Sequence, residues 1–267
     1  MIDYNYVRKL SGKIGIPEET IEKDFCIELL LSRFCNSAIL TKNLVFRGGT
    51  AFKKIYFPEF RYSEDLDFLL KSDGNLNIYE KTIGDMLSKA SKRLPVALKI
   101  KSVFYPQHGH LQMFVSYDII PEIHSAKELK IDIIEDSTVL PSRNRKINFS
   151  YEYFKKSDCF LNTYNLESII AEKIGRILDV VDEPRDLWDL RYLLKSKIKI
   201  RDAKKSFGKK YGTEINISSL LNAVKNKNYK KMWDVRLKNQ LPNLTEYETV
   251  VKELEILIKS YFGNVQK

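Results

Sequence analysis

Cysteine, histidine and long apolar runs are scarce in this sequence. Its 267 residues contain three cysteines and three histidines. The odd number of cysteines favours reduced, buried thiols over a disulfide framework, and neither residue type has the spacing of a zinc site. The histidines are expected at turns or strand edges. The residues concerned are Cys26, Cys35, Cys159, His108, His110 and His124.

No apolar stretch is long enough, or free enough of charge, to cross a bilayer. The N-terminal segment, MIDYNYVRKL, lacks the apolar core of a signal peptide. We therefore expect a cytoplasmic protein that does not bind membranes. Positive charge is in surplus, because 45 Lys and Arg residues stand against 35 Asp and Glu residues and give a net charge of +10. This surplus favours an anionic partner such as nucleic acid, although well-solvated surface lysines produce the same count.

The most informative segment is residues 46–68, which read FRGGTAFKKIYFPEFRYSEDLDF. A glycine turn is followed by a short helix and then by a strand that carries Asp65 and Asp67. Because side chains alternate along a strand, both carboxylates are predicted on one side, while Leu66 and Phe68 point into the core. Two such acids beside a loop with accessible backbone N–H groups can hold a divalent metal and a polyphosphate together. This arrangement predicts a nucleotidyl-transfer site.

The same segment resembles the signature of the AbiEii-type nucleotidyltransferases. These are the toxin halves of bacterial abortive-infection and type IV toxin–antitoxin pairs, and they are related to the MenT toxins. A second block of similarity comprises Leu166, Glu167, residues 171–173, Arg176 and residues 185–190. The resemblance extends in order over most of residues 22–194. In the first block it rests on Gly48, Gly49, Thr50, Arg61, Ser63, Glu64, Asp65 and Asp67.

The resemblance implies an α+β fold, with a polymerase β-like nucleotidyltransferase lobe built on a mixed β-sheet and a C-terminal helical lobe. We place the lobes at residues 1–155 and 156–267, because the pattern changes to helical spacing in the second part. The active site is expected in the cleft between them. An amphipathic helix over residues 17–34 is predicted to pack on the catalytic core. Its Glu22-Lys23-Asp24 resembles an early motif of the family, and a solvated helix face explains it equally well.

The glycine turn is predicted to cradle phosphate. Gly48, Gly49 and Thr50 allow close backbone approach to a triphosphate, and the following helix offers its positive end. An ordinary strand-to-helix turn is the alternative. Lys53 and Lys54 would add charge, with at least one of them expected to face solvent.

Asp65 and Asp67 are predicted to coordinate Mg²⁺ or Mn²⁺. By analogy with the fold, Asp132 is the candidate for a third metal ligand or general base, although an exposed position on a half-buried strand explains it nearly as well. Ser63 is predicted to share the strand face of Asp65, near the reactive phosphate or in a structural hydrogen bond. The weaker candidates for the third carboxylate are Asp118 and Asp136.

Lys173 falls inside the apolar stripe of a helix predicted from residue 166. A buried ammonium needs an anion, which is either a triphosphate or an acid such as Asp186. The alternative is that the side chain extends to the edge of the stripe and keeps its ammonium in water. The resemblance implies that Lys173, which would hold the triphosphate, and Asp186 on the next helix complete the active site as catalytic residues, whereas Asp189 is expected further out. Arg176 would contact phosphate or form an exposed ion pair. The stripe consists of Leu166, Ile169, Ile170, Ile174, Ile177 and Val181.

Basic residues interleaved with aromatic ones are frequent in the last third of the chain. This composition suits an RNA backbone and exposed bases, or the solvated surface of a helical bundle. The clusters are residues 195–197, 204–205, 209–211 and 225–231.

The sequence therefore predicts a metal-dependent nucleotidyltransferase that moves NMP from an NTP to an acceptor hydroxyl and releases pyrophosphate. The resemblance implies that the acceptor is the 3′ end of tRNA, that the activity inhibits growth and that a cognate antitoxin neutralises it. Transfer to a protein or a small molecule is the enzymatic alternative. A nucleotide-binding interaction module without turnover is the alternative of another class.

Overall fold

The computed structural model describes residues 1–71, 74–180, 182–196 and 200–263. Val181 of the predicted apolar stripe and Lys197 of a basic cluster lie outside this part. The chain forms two compact units. The first contains Met1–Val139 and Arg143–Thr163, and the second contains Leu140–Ser142 and Tyr164–Lys267. Within the described ranges, no helix is both long and apolar enough to span a membrane.

The first unit combines helices with a mixed sheet. Its helices are α1 (Tyr4–Ile14), α2 (Glu18–Phe34), α3 (Ala38–Asn43), α4 (Gly48–Ala51), which continues as a π-helical turn (Phe52–Tyr56), and α5 (Leu76–Arg93). The strands of the sheet are β1 (Leu44–Arg47), β2 (Asp65–Leu70), β3 (Ala97–Phe104), β4 (His110–Asp118), β5 (Glu128–Glu135), β6 (Ser142–Lys146) and β7 (Phe160–Tyr164).

The seven strands lie in the order β3-β4-β5-β2-β1-β7-β6. Strand β2 is central, antiparallel to β1 and parallel to β5, while β4 runs antiparallel to its two neighbours β3 and β5. The mixed sheet and the α+β class predicted from the sequence are confirmed. The strand that carries the aspartates therefore lies in the middle of the sheet, where neighbours on both sides hold its backbone.

One face of the sheet forms the core of this unit. Leu66 and Phe68 of β2 are buried on it, as the alternation predicts. Phe34 of α2 stacks on Phe68 with ring centroids 4.9 Å apart. Helix α5 adds Ile83 and Leu87 to the same cluster. Burial of this face leaves the odd-numbered positions of β2 on the opposite side of the sheet.

Helix α2 carries buried acids as well as apolar residues. The interpretation of Glu22-Lys23-Asp24 as a solvated face is wrong for both acids, because Glu22 and Asp24 are buried. The carboxylate of Glu22 accepts hydrogen bonds from the backbone N–H groups of Ile119 and Ile120. A buried carboxylate is tolerated when donors surround it. These donors come from distant parts of the chain, so local charge patterning does not reveal them.

The prediction of three reduced thiols is wrong for two cysteines. Cys35 and Cys159 form a disulfide across a sequence separation of 124 residues. The end of α2 and the approach to β7 meet only in the folded unit, so spacing along the chain does not indicate the pair. Cys26 is the free, buried thiol among the described residues, and burial raises its pKa above the ordinary value.

The second unit is helical in its described part. Its helices are α6 (Leu166–Asp179), α7 (Pro184–Lys195), α8 (Ile200–Tyr211), α9 (Ile217–Val224), α10 (Lys227–Leu237) and α11 (Tyr247–Phe262), with a 3-10 turn at Lys238–Gln240. Gly175 of α6 lies against the Tyr211 phenol, where any side chain would collide with the ring. The close approach of α8 to α6 thus depends on this glycine.

Candidate active site

Two rows of side chains cross the open face of the sheet, opposite the core. Residues that are directly paired on neighbouring strands point to the same face. The first row consists of Phe104, Gln112, Asp132, Asp67 and Arg47, and the second of Ser102, Phe114, Lys130 and Asp65. Asp65, Asp67 and Asp132 therefore share one face, although they come from two strands that are distant in sequence.

The glycine turn packs directly onto the aspartate strand. Gly48 has a φ of 77°, a backbone conformation that L side chains rarely adopt. A Cβ at this position would collide with the Asp67 carboxylate. The Thr50 hydroxyl donates a hydrogen bond to the backbone carbonyl of Asp65. Gly48 and Thr50 thus tie the turn to both aspartates.

Gly49 faces the segment that precedes β2. A Cβ at Gly49 would lie 2.8 Å from a guanidinium nitrogen of Arg61 and 3.2 Å from Ser63 Oγ. The strand begins at Asp65, so the prediction that Ser63 lies on it is wrong. Both Arg61 and Ser63 are nevertheless buried beside the turn. A cation, a hydroxyl and bare backbone therefore meet at one point, a combination that suits an anion.

Gly48→Ala is expected to destabilise the protein more than Gly212→Ala does. Gly212 has a comparable φ of 69°, but a Cβ there meets nothing within 4 Å. The backbone penalty, about 1–2 kcal/mol, is common to both variants, so the difference reports the collision with Asp67. Urea unfolding measures the stability, and nucleotide transfer should be lost only in Gly48→Ala. Equal effects of the two variants would contradict a close packing of the turn on Asp67.

Asp132 has cationic and polar neighbours on its own face. Lys130 Nζ lies 2.8 Å from Asp132 Oδ2 and His110 Nε2 lies 2.5 Å from Oδ1. Gln112 Nε2 lies 3.5 Å from Oδ2. Burial alone would raise the pKa of Asp132, but the hydrogen bonds from Lys130 and His110 lower it. The carboxylate is thus held ionised.

Lys130 contacts Asp132 and interacts electrostatically with Asp65 and Asp67. Burial alone would lower its pKa, but the Asp132 hydrogen bond and the charges of Asp65 and Asp67 raise it. Sequence reasoning missed Lys130 and His110. The alternation of polar and buried positions along β4 and β5 was the available signal, yet pairing between the strands was needed to align them with Asp67. His110, expected at a turn or edge, begins β4 and faces Asp132.

The carboxylates of Asp65 and Asp67 are suitable ligands for a magnesium ion that also binds substrate phosphates. Magnesium is held through one or two carboxylates together with waters and phosphate oxygens. Asp65 and Asp67 are half-buried and supply two such carboxylates. In the described part of the chain, no group of three or more His, Cys, Asp or Glu residues forms a ready-made cage. The role of Asp132 as a third ligand stays a prediction, and its present partners are Lys130 and His110.

The two lysines after the glycine turn are both buried, so the expectation that at least one faces solvent is wrong. Lys53 Nζ donates to the carbonyls of Pro58 and Phe60, at 3.0 and 2.8 Å. Burial lowers the pKa of Lys53 to about 8. Its predicted contact with nucleotide stays a prediction, since both observed acceptors belong to the protein.

Lys54 is paired within the core. Its Nζ lies 2.8 Å from the Asp24 carboxylate and 2.7 Å from the Glu28 carboxylate. Burial alone would lower the pKa of Lys54, but these two carboxylates raise it. The cluster of Asp24, Glu28 and Lys54 fastens the π-helical turn that follows the glycines to helix α2.

In the second unit, Lys173 is buried as its place in the apolar stripe predicts. Its Nζ lies 2.6 Å from Asp186 Oδ1 and 2.7 Å from Asp189 Oδ2. The anion beside Lys173 is therefore an acid of the next helix, which is one of the two partners expected from the sequence. Arg176 Nε lies 2.8 Å from Asp186 Oδ2 while the rest of its side chain is largely exposed. The expected outer position of Asp189 is wrong, because residues three apart share a helix face and both acids point to Lys173.

The chain is similar to a known protein family and to several solved structures. The family described as "Nucleotidyl transferase AbiEii toxin, Type IV TA system" matches residues 29–253. MenT4, a nucleotidyltransferase toxin from Mycobacterium tuberculosis H37Rv, has the same fold with a TM-score of 0.70 at 15% identity, over 93% of this chain and 85% of that chain. JHP933 from Helicobacter pylori superposes with a TM-score of 0.56 at 17% identity, over 94% of each chain.

A putative nucleotidyltransferase from H. pylori superposes with a TM-score of 0.53 at 16% identity, over 94% of this chain and 97% of that chain. No curated protein sequence matches this chain. The family match covers most of the chain, including the glycine turn, both aspartates of β2, Lys173 and Asp186. The chain therefore belongs to the AbiEii family of nucleotidyltransferase toxins of type IV toxin–antitoxin systems.

Proposed function

We propose that this nucleotidyltransferase moves NMP from an NTP to the 3′ hydroxyl of an RNA, with tRNA as the acceptor, and that Mg²⁺ is required. The observation that carries the proposal is the packing of Gly48 against the Asp67 carboxylate. It places bare backbone next to the pair of acids on β2. A triphosphate and its metal ion need both features in one place.

In the proposed reaction, the acceptor oxygen attacks the α-phosphorus of the NTP. A new P–O bond forms, the bond from the α-phosphorus to the bridging oxygen breaks, pyrophosphate leaves, and the hydroxyl proton passes to solvent. Asp65 and Asp67 would hold Mg²⁺, with Asp132 as the candidate third carboxylate. The chemistry that this ion would supply is neutralisation of the phosphate charge and activation of the attacking hydroxyl.

The residues around the turn bind the triphosphate in this proposal. Gly48, Gly49 and Thr50 offer backbone to the phosphates, and Ser63 lies beside Gly49. Lys53 is assigned a supporting charge. In the second unit, Lys173 and Arg176 are proposed to bind the nucleotide. Asp186 is proposed to position these two cations, and its contacts with both of them support this role.

The net charge of +10 supports an RNA acceptor. Family membership implies an antitoxin partner and, with an RNA substrate, a cytoplasmic site of action. Growth inhibition by the toxin and neutralisation by the antitoxin are part of the proposal.

The experiment incubates the purified chain with each NTP, labelled at the α-phosphate, together with Mg²⁺ and total RNA. We expect label in RNA of tRNA size, and no label when EDTA is present or when the RNA has been oxidised with periodate, which destroys the 3′ hydroxyl. Label on protein alone, or the absence of label, would overturn the proposal. The same reaction without RNA provides the background.

A further inference from the structure

Two phenylalanines lie on the open face of the sheet, beside the carboxylates. Phe104 ends β3 and is 52% exposed. Phe114 lies on β4 and is partly buried. Their rings meet edge to face with centroids 5.7 Å apart. The pair thus presents an exposed aromatic surface beside the proposed active site.

These rings do not serve the core of the first unit. Along β4, Leu111, Met113 and Val115 are fully buried on the opposite face. Phe114 alternates with them and therefore points away from that core. Phe104 pairs with Gln112 and shares its face. The pair forms an aromatic surface on the side of the sheet that carries the acids.

The register places this surface within reach of the aspartates. Phe114 pairs with Lys130, and Lys130 pairs with Asp65. Since neighbouring strands lie about 4.8 Å apart, Phe114 and Asp65 are about 10 Å apart across the sheet. That distance suits one nucleotide, with its base on the rings and its ribose towards the carboxylates.

Positive charge accompanies the rings. Lys99 is exposed on β3, and Lys101, whose side chain is 61% exposed, forms an ion pair with Glu128 on β5 at 2.6 Å. Aromatic rings next to lysines are the combination that binds single-stranded nucleic acid, because bases stack and phosphates meet the charge. The adjacent Tyr105 is not counted with these two rings, because its hydroxyl is hydrogen-bonded to Asn77 and Glu80.

We infer that Phe104 and Phe114 form the stacking site for the terminal base of the acceptor RNA. The inference rests on the proposed function and deepens it, because it locates the acceptor strand on the β3–β4 side of the acids. Phe114 lies nearer to the acids and stacks the base whose 3′ hydroxyl reacts, while Phe104 extends the surface outwards.

The test compares the double variant Phe104→Leu/Phe114→Leu with the wild type. Leucine keeps the apolar character and removes the stacking ring. Phe160→Leu is the matched control, because Phe160 is a phenylalanine of the same sheet with 45% exposure on β7. Phe104→Tyr/Phe114→Tyr retains the rings and should behave as the wild type. Thermal unfolding verifies that each variant is folded.

Two measurements are made. The first is the KM for tRNA at saturating NTP, and the KM for NTP at saturating tRNA. The second needs no turnover and records the fluorescence quenching of 2-aminopurine placed at the 3′ end of a short single-stranded RNA. We expect the leucine variant to raise the KM for RNA by about 5- to 150-fold, the range of one stacked base, and to abolish the quenching.

An unchanged KM for NTP in the leucine variant, with normal behaviour of the control and tyrosine variants, supports the inference. A rise in the KM for NTP without a rise for RNA overturns it, because the rings would then hold the base of the incoming nucleotide. Unchanged values for both substrates also overturn it. If the wild type transfers no nucleotide to RNA, the proposed function fails, while the quenching still tests the rings.

Discussion

Asp67→Asn is expected to reduce nucleotide transfer by on the order of 10³-fold, since a metal ion contributes several kcal/mol to such a reaction. Asparagine keeps the size of the side chain next to Gly48, so the packing of the glycine turn is preserved. The substitution removes the negative charge that the proposed metal ion requires. Asp67 lies in the middle strand of the sheet, where β1 and β5 hold it on both sides.

The rate of label transfer to RNA is measured as a function of Mg²⁺ concentration. We expect the Asp67→Asn variant to require more Mg²⁺ and to remain slow at saturation. Asp158→Asn is the control, because the side chain of Asp158 is 83% exposed and forms an ion pair with Lys146 at 2.8 Å. It should stay within about threefold of the wild type, as expected of a surface ion pair that contributes at most about 1 kcal/mol. Equal rates for the two variants would contradict the assignment of Asp67.

Lys54→Met is expected to lower the free energy of unfolding by about 3–5 kcal/mol. Methionine preserves most of the volume but leaves Asp24 and Glu28 buried without their cation. Glu28 keeps hydrogen bonds from the backbone N–H groups of Ser150 and Tyr151, which moderate the loss. The effect should therefore fall within this range and not exceed it.

Urea unfolding of Lys54→Met measures this loss. Lys146→Met is the control, since the ion pair of Lys146 with Asp158 lies on the surface. An exposed pair contributes at most about 1 kcal/mol. Adding Glu28→Gln to Lys54→Met should restore part of the stability, because it removes one of the unpaired charges. A loss in Lys54→Met no larger than in Lys146→Met would show that the cluster is not buried in solution.

The local pattern was sufficient for the elements that position the candidate site. Strand β2 begins at Asp65 and ends at Leu70, as the alternation of acidic and apolar residues predicts. The turn at Gly48 follows β1 as expected, because glycine is favoured where φ is positive. Such signals lie within a few residues of each other, so they require no knowledge of the rest of the chain.

Other elements were missed because their signals are weak or distant. Helix α1 follows the N-cap Asp3, whose side chain accepts a hydrogen bond from the N–H of Tyr6, and this single capping residue is a weak signal. Strand β6, with the sequence SRNRK, has no apolar alternation. It lies at the edge of the sheet, and hydrogen bonds to its one neighbouring strand hold it in an extended conformation.

Local patterns alone predict the two carboxylates on one side of β2, the glycine turn before them and an inward Lys173 that needs an anion. The contacts of these groups follow from the folded chain. It brought Lys130 and His110 to Asp132, buried Lys54 between Asp24 and Glu28, and turned Asp189 towards Lys173. The physical reason is the range of each effect. Alternation and backbone conformation act between neighbouring residues, whereas a buried charge depends on partners that only strand pairing and helix packing bring close.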